Sequence, residues 1–184
     1  DRDSKGKRKI LSLNLDTLEY VEKRKTKFNT IGEAKKISDL KNRFAILING
    51  DDKAAIFYQK MFAFMFSYVA HRIPEISDEI YKIDSAMCAG FGWKIGPFEI
   101  WDSIGLQKGI ELINQENLKT PEWIKQLLET GNSFYNIDNT RQTYYDTKTN
   151  THQSIPTLNK FTILNNLRGT AQIWKNNGVS LLDI

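Results

Sequence analysis

The stretch that decides the fold is Gly90-Phe91-Gly92-Trp93-Lys94-Ile95-Gly96-Pro97-Phe98-Glu99-Ile100-Trp101-Asp102-Ser103-Ile104-Gly105-Leu106. It contains the boundaries of three helices. Glycine reaches positive φ without a steric penalty and often follows the last residue of a helix. Gly92 is therefore expected to end one helix and Gly105 to end the next. The stretch predicts a short helix between two longer ones.

Three signals mark the start of the short helix. Gly96 can cap it, and Pro97 suits its first position, where a missing backbone N–H costs nothing. Glu99 lies in the first turn, where the positive end of the helix dipole favours a carboxylate. We interpret Gly96, Pro97, Phe98, Glu99 and Asp102 as a structural motif.

The most apolar part of the chain lies upstream, in residues 54–70. Gln59, Lys60 and Ser67 interrupt it, so it falls short of the roughly 18 clean apolar residues of a membrane span. Its apolar residues lie nearly all round a helix, which predicts the buried central helix of the domain, ended by Pro74.

Helical periodicity continues on both sides of these segments. Further helices are predicted from about Ser38 to Asn49, from a cap at Ser77, from Leu106 to about Asn117, and from Thr120-Pro121-Glu122 to Gly131. The fold class is therefore mainly α, a helical bundle with a small β-hairpin appendage.

The two ends of the chain follow other patterns. Residues 1–31 predict a polar linker that can form a hairpin, and residues 32–135 predict the helical domain. Residues 136–184 predict a hairpin around Asp138-Asn139, a helix over 159–175 and a strand from Val179, as a link to a following domain.

Composition excludes some classes of protein. The 184 residues carry a net charge of +4 and one cysteine, Cys88, so an internal disulfide is impossible. With no leader visible, we expect a cytoplasmic protein and no membrane partner. The basic residues of the first 27 positions are interpreted as a solvated linker, with a patch for acidic ligands or nucleic acid as the alternative; nucleic acid is not the expected partner.

A catalytic site is not evident in the sequence. The two histidines, His71 and His152, are interpreted as a helix-end residue and a solvated loop residue, and Cys88 as a small buried hydrophobe. Glu99 and Asp102 could form a carboxylate pair, but Glu99 already has a role at the helix start. We predict no catalytic, cofactor or metal residues in this chain.

The sequence motifs of this region resemble those of one family. Ile83-Asp84-Ser85-Ala86-Met87, then residues 90–102 and Gly105-Leu106, resemble the C-terminal helical domain of 3-hydroxyacyl-CoA dehydrogenases, and Ser133-Phe134-Tyr135 resembles its Gly-Phe-Tyr. The resemblance covers about residues 50–135. It implies a helical domain of an enzyme that oxidises the 3-hydroxyl of an acyl-CoA with NAD in fatty-acid β-oxidation, with NAD and the catalytic His–Glu pair on a separate Rossmann domain.

The chain departs from the family pattern where the long helix begins. The Asn-Arg pair that supports the substrate site in the family falls on Gln59 and Lys60, and the preceding Pro-Gly-Phe falls within residues 52–55, which contain neither Pro nor Gly. The departure implies a second, degenerate copy of the domain. Multifunctional members of the family carry two copies, in some versions followed by an enoyl-CoA hydratase domain.

Our main hypothesis from the sequence is a central domain that supports the acyl-CoA site through packing, with Gln59 and Lys60 as support residues. The parent would be an enzyme, and this chain alone would be inactive. The expected partners are acyl-CoA, neighbouring helical and Rossmann domains and an enoyl-CoA hydratase domain. The alternative is a non-catalytic helical dimerisation or interaction module that forms a homodimer.

Overall fold

The computed structural model describes residues 2, 4, 6–8, 10–23, 26–138 and 141–156, together with the backbone of residues 162–166, 172–176 and 179–183. Internal contacts divide the chain into two units, residues 1–59 and 60–184. One helix, α3 (Lys53–His71), begins in the first unit and ends in the second. The domain boundaries after residues 31 and 135 remain a prediction.

A short hairpin precedes the helices of the first unit. Strands β1 (Leu11–Leu13) and β2 (Tyr20–Glu22) pair antiparallel, and two helices follow, α1 (Asn29–Ala34) and α2 (Leu40–Asn49). Helix α1 has no counterpart among the predicted helices, because its six residues are too few to show an apolar period.

Two aspartates organise the helix starts of this unit. The Asp39 side chain caps α2 by accepting the backbone N–H of Asn42 at 2.8 Å. Asp52 accepts the backbone N–H of Ala55 at 2.9 Å and that of Thr30 at 3.0 Å, so one carboxylate holds the starts of both α3 and α1. These two hydrogen bonds lower the pKa of Asp52 from its ordinary value.

The helices of the second unit confirm the mainly α fold class. They are α4 (Ile80–Phe91), α5 (Pro97–Ile104), α6 (Leu106–Gln115) and α7 (Glu122–Glu129). As predicted, Gly92 follows α4 with φ of 67° and Gly105 follows α5 with φ of 100°. Pro97 is the first residue of α5, and Gly96 is its N-cap.

Aromatic rings form the centre of the second unit. The Phe66 and Trp101 rings stack at 4.7 Å between centroids, and the Trp101 and Phe134 rings lie 5.1 Å apart. All three side chains are fully buried. Gly109 lies against the Trp101 indole, where a Cβ atom would overlap Nε1. Stacked and tilted pairs add to the free energy that burial of these rings already provides.

After α7, the described elements of this unit are β-strands. Strands β3 (Tyr135–Asp138), β4 (Arg141–Asp146) and β5 (Thr151–Ser154) form one antiparallel sheet, and β6 (Thr162–Asn166), β7 (Gln172–Asn176) and β8 (Val179–Asp183) form another. The predicted hairpin over 133–145 is confirmed by β3 and β4; its turn at Asp138-Asn139 falls partly outside the described residues.

The helix predicted over 159–175 is wrong. Strands β6 and β7 occupy this part of the chain and pair with each other from Thr162 opposite Lys175 to Asn166 opposite Gln172. Its apolar residues fit a helical spacing, but cross-strand pairing gives the same backbone groups partners in a sheet. The strand predicted from Val179 is present as β8.

Two predicted caps are also corrected. Ser77 lies before α4 and its hydroxyl accepts the backbone N–H of Glu79 at 3.2 Å, but the N-cap of α4 is Glu79. The N-cap of α7 is Pro121, and the buried Thr120 hydroxyl has no hydrogen-bond partner in the described part of the chain. A serine or threonine before a helix can satisfy a local turn instead of capping the helix.

Helix α3 is buried on one face only, which corrects the prediction of a wholly buried central helix. In the second unit its inner face contributes Phe62 and Phe66 to the core. Met61, Phe64 and Tyr68 are exposed to 36%, 55% and 63%, and we call these three residues the outer face of α3. Their spacing of three and four places them on one side of the helix. The outer face therefore presents large apolar side chains to solvent.

Candidate functional site

The start of α5 is held by a carboxylate from another helix. Asp84 of α4 is buried, and its two oxygens accept the backbone N–H groups of Phe98 at 2.9 Å and Glu99 at 3.0 Å. These are N–H groups that a helix start leaves without partners. Because Gly96 has no side chain that could accept them, Asp84 supplies the N-cap function from a distance in sequence.

The same carboxylate binds the beginning of the sheet. The hydroxyl of Tyr135 donates to Asp84 Oδ2 at 2.9 Å, and burial is the main cause that raises the pKa of Tyr135. On α5, Asp102 accepts the backbone N–H groups of Phe134 at 2.9 Å and Tyr135 at 2.8 Å. Asp84 and Asp102 thus link α4, α5 and the chain that enters β3; we call this arrangement the aspartate junction.

Glu99 also serves the backbone. Its Oε2 accepts the N–H of Gly96 at 3.0 Å, which confirms the expected role of Glu99 at the helix start. Both members of the carboxylate pair considered in the sequence, Glu99 and Asp102, accept backbone N–H groups. The geometry therefore assigns these groups to holding the fold.

Burial disfavours the ionised form of Asp84. Burial raises its pKa from 3.8 to about 7, and the donors at Phe98, Tyr135 and Glu99 oppose this rise. A neighbouring negative charge on Glu99 contributes to it. The role of Asp84 was not predicted, although a lone aspartate within an apolar helix is the signal that could have indicated one.

A pH dependence of stability follows from Asp84. Its pKa is higher in the folded than in the unfolded chain, so its contribution to stability is greatest below about pH 4 and falls as the pH rises to about 7. The full change is about 4 kcal/mol. Urea unfolding at several pH values should show this fall in the native chain, and a smaller one in Asp84→Asn. Parallel pH profiles of the two proteins would contradict the assignment.

The two predicted support residues lie on α3 in different units. In the first unit, Gln59 Nε2 donates to the carbonyl oxygens of Ile48 at 2.8 Å and Gly50 at 3.2 Å, so its amide satisfies the end of α2. In the second unit, the exposed Lys60 ammonium lies 3.7 Å from Glu116 Oε2. Their role beside a substrate remains a prediction.

The remaining nucleophilic and basic side chains hold structural positions. His71 Nδ1 lies 2.7 Å from the carbonyl oxygen of Ser67, at the end of α3 as expected. His152 is not a solvated loop residue: it lies in β5, half-buried, with Nε2 at 2.9 Å from the carbonyl oxygen of Ser133. Cys88 is half-buried, and burial raises the pKa of its thiol, which keeps it protonated.

Within the described residues, no group of three or more His, Cys, Asp or Glu side chains could hold a metal ion. The helices of that part of the chain are all too short or too polar to cross a bilayer.

Comparison with known proteins identifies the helical region. The family model described as "3-hydroxyacyl-CoA dehydrogenase, C-terminal domain" matches residues 57–134, which include the outer face of α3, both aspartates of the aspartate junction and the aromatic core. Residues 57–134 are similar to this family. The resemblance seen in the sequence is thereby confirmed.

Relatives of the chain are named as a dehydrogenase or as fatty acid oxidation enzymes. A "Probable 3-hydroxyacyl-CoA dehydrogenase" of Bacillus subtilis is 37% identical over 95% of the chain and 22% of its own length. "Putative fatty acid oxidation complex trifunctional enzyme" proteins of Rickettsia felis and Rickettsia prowazekii are 32% and 25% identical, over 53% and 66% of the chain and 12% and 16% of their lengths. The chain thus spans less than a quarter of each of these relatives. No solved structure shows a significant match.

Proposed function

We propose that this chain is the second, degenerate helical domain of an NAD-dependent 3-hydroxyacyl-CoA dehydrogenase of fatty-acid β-oxidation. In this proposal it supports the acyl-CoA site of the parent enzyme by packing against the catalytic helical domain, and it has no catalytic residues of its own. The observation that carries the proposal is the outer face of α3, an apolar helix side exposed within a domain of this family.

The outer face has the composition of a protein interface. Phe64 and Tyr68 are large aromatic residues with more than half of their surface exposed. Arg72 follows one turn later, with its guanidinium 5.1 Å from the centre of the Tyr68 ring, and it pairs with Glu75 at 2.8 Å. An apolar centre with charged groups at its end is typical of protein contacts, in which aromatic residues and arginine are enriched.

The state of the carboxylates supports a structural role in place of a catalytic one. Asp84, Asp102 and Glu99 all accept backbone N–H groups, and general acid–base catalysis needs a group that can exchange a proton with a substrate. In the parent, NAD would be bound by a Rossmann domain and acyl-CoA would be the substrate. An enoyl-CoA hydratase domain and a cytoplasmic location complete the proposal.

The packing role is tested in the intact parent enzyme. We expect Phe64→Asp/Tyr68→Asp to lower NADH oxidation with acetoacetyl-CoA by about tenfold or more, because two charges cannot be buried in the domain contact without a large free-energy cost. Deletion of residues 1–184 should have at least the same effect. The matched control is Phe91→Asp, since Phe91 is 73% exposed on α4 and outside the outer face.

Equal rates of NADH oxidation in the Phe64→Asp/Tyr68→Asp parent and the Phe91→Asp parent, with both folded, would overturn the proposal. The alternative, a homodimeric interaction module, is favoured by the same exposed face, because an isologous contact uses one face twice. Light scattering of the chain alone, together with the activity of the parent, separates the two. The module would be supported by a native mass that doubles with concentration and a Phe64→Asp/Tyr68→Asp variant that stays monomeric. It also requires that the parent shows no dehydrogenase activity.

A further inference from the structure

A groove of about 410 Å³ runs along residues 26–36 in the first unit. Half-buried Phe28 and Ile31 provide apolar lining, and the exposed side chains of Lys27, Lys35 and Lys36 surround it. Its volume lies within the roughly 300–1,000 Å³ that small-molecule sites occupy. The groove therefore combines an apolar lining with three ammonium groups.

The charge of the groove is unbalanced. Glu33 is the single acid among the lining residues, against the three lysines. Among the described residues, the ion pairs of lysines involve Lys60 and lysines after it, and not Lys27, Lys35 or Lys36. An excess of positive charge in a concave place raises the local concentration of anions.

Stabilisation of helix α1 does not account for all three lysines. Lys35 and Lys36 follow the last residue of α1, where the negative end of the helix dipole favours a cation. Lys27 lies before the helix starts, at the end where the dipole disfavours a cation. Its presence beside the other two is explained when the groove receives an anion.

We propose that this groove binds the phosphorylated adenosine end of coenzyme A. The lysines would contact the phosphates, and the Phe28 ring with Ile31 would contact the adenine, which matches charge to charge and apolar surface to a flat ring. The choice of coenzyme A rests on the proposed function; the groove itself favours an anion with an apolar part, because lysines surround Phe28 and Ile31.

Titration of the chain with adenosine 3′,5′-bisphosphate at low salt, followed by calorimetry, tests this inference. We expect Lys35→Gln/Lys36→Gln to bind about tenfold more weakly, because two charge-assisted contacts are lost. The matched control is Lys41→Gln/Lys119→Gln, which removes the same charge from exposed positions outside the groove, and its affinity should change by less than about twofold. Circular dichroism checks that all variants are folded.

Three results would overturn the inference. They are the absence of binding, an equal loss of affinity in both double variants, and binding of inorganic phosphate as tight as that of the bisphosphate. The test is independent of the parent's activity: binding in the groove with an unaffected parent after deletion of residues 1–184 would keep this inference and remove the proposed function. Absence of binding in the groove, with a loss of parent activity after the deletion, would keep the proposed function and remove this inference.

Discussion

Gly96→Ala is expected to destabilise the protein by about 3 kcal/mol, and Gly96→Val by more. A Cβ atom on residue 96 would overlap Cα, Cβ and Cγ of Asp84, and a backbone atom cannot move aside as the end of a flexible side chain can. The close approach is required because Asp84 must reach the first N–H groups of α5. Thermal melting and urea unfolding measure the loss.

Gly90→Ala is the matched control for this prediction. Gly90 lies in α4, and a Cβ atom there would meet nothing within 4 Å. Alanine is a better helix former than glycine, so Gly90→Ala should leave the free energy of unfolding unchanged or raise it by up to about 1 kcal/mol. A Gly96→Ala protein that melts like the native chain would show that the contact with Asp84 is not needed.

Trp101→Ala should cost about 4 kcal/mol of stability. The indole is fully buried, stacks on Phe66 and lies beside Phe134, and its Nε1–H donates to the carbonyl oxygen of Leu106 at 3.1 Å. The substitution leaves a cavity and also leaves that carbonyl without its donor. Urea unfolding gives the free energy, and loss of cooperativity would be a further expected sign.

Trp93→Ala controls for the removal of an indole as such. Trp93 lies in the segment between α4 and α5 and is 37% exposed, so we expect it to change stability by less than about 1 kcal/mol. Equal losses in Trp101→Ala and Trp93→Ala would contradict the assignment of Trp101 to the core. The two variants differ in burial and not in chemistry, which makes the comparison direct.

The predictions that the structure confirms concern short-range features. Gly92 and Gly105 end helices, Pro97 is the first residue of α5, and Glu99 holds the N–H of Gly96. The physical reason is that φ preference, a missing N–H and the helix dipole act within one turn of the chain. The same short-range reasoning was wrong at Ser77 and Thr120. Each was predicted to cap the helix that follows it, but the N-caps are Glu79 and Pro121.

Predictions that required knowledge of neighbours were less complete. The outer face of α3 has the same apolar residue types as the inner face, and periodicity does not say which side meets another helix. For residues 159–175, the apolar spacing fits a helix, but β6 and β7 pair antiparallel with each other, and spacing alone does not reveal such pairing.

By itself, the amino-acid sequence determined the helix boundaries around residues 90–106, the mainly α class and the resemblance of the helical region to a dehydrogenase family, because glycine, proline and the dipole act locally and the motif is contiguous. The tertiary structure alone decided that Asp84 caps α5, that Gly109 must accommodate the Trp101 indole and that one face of α3 is left exposed. These depend on groups far apart in sequence, whose burial and hydrogen bonding exist only once the chain has folded.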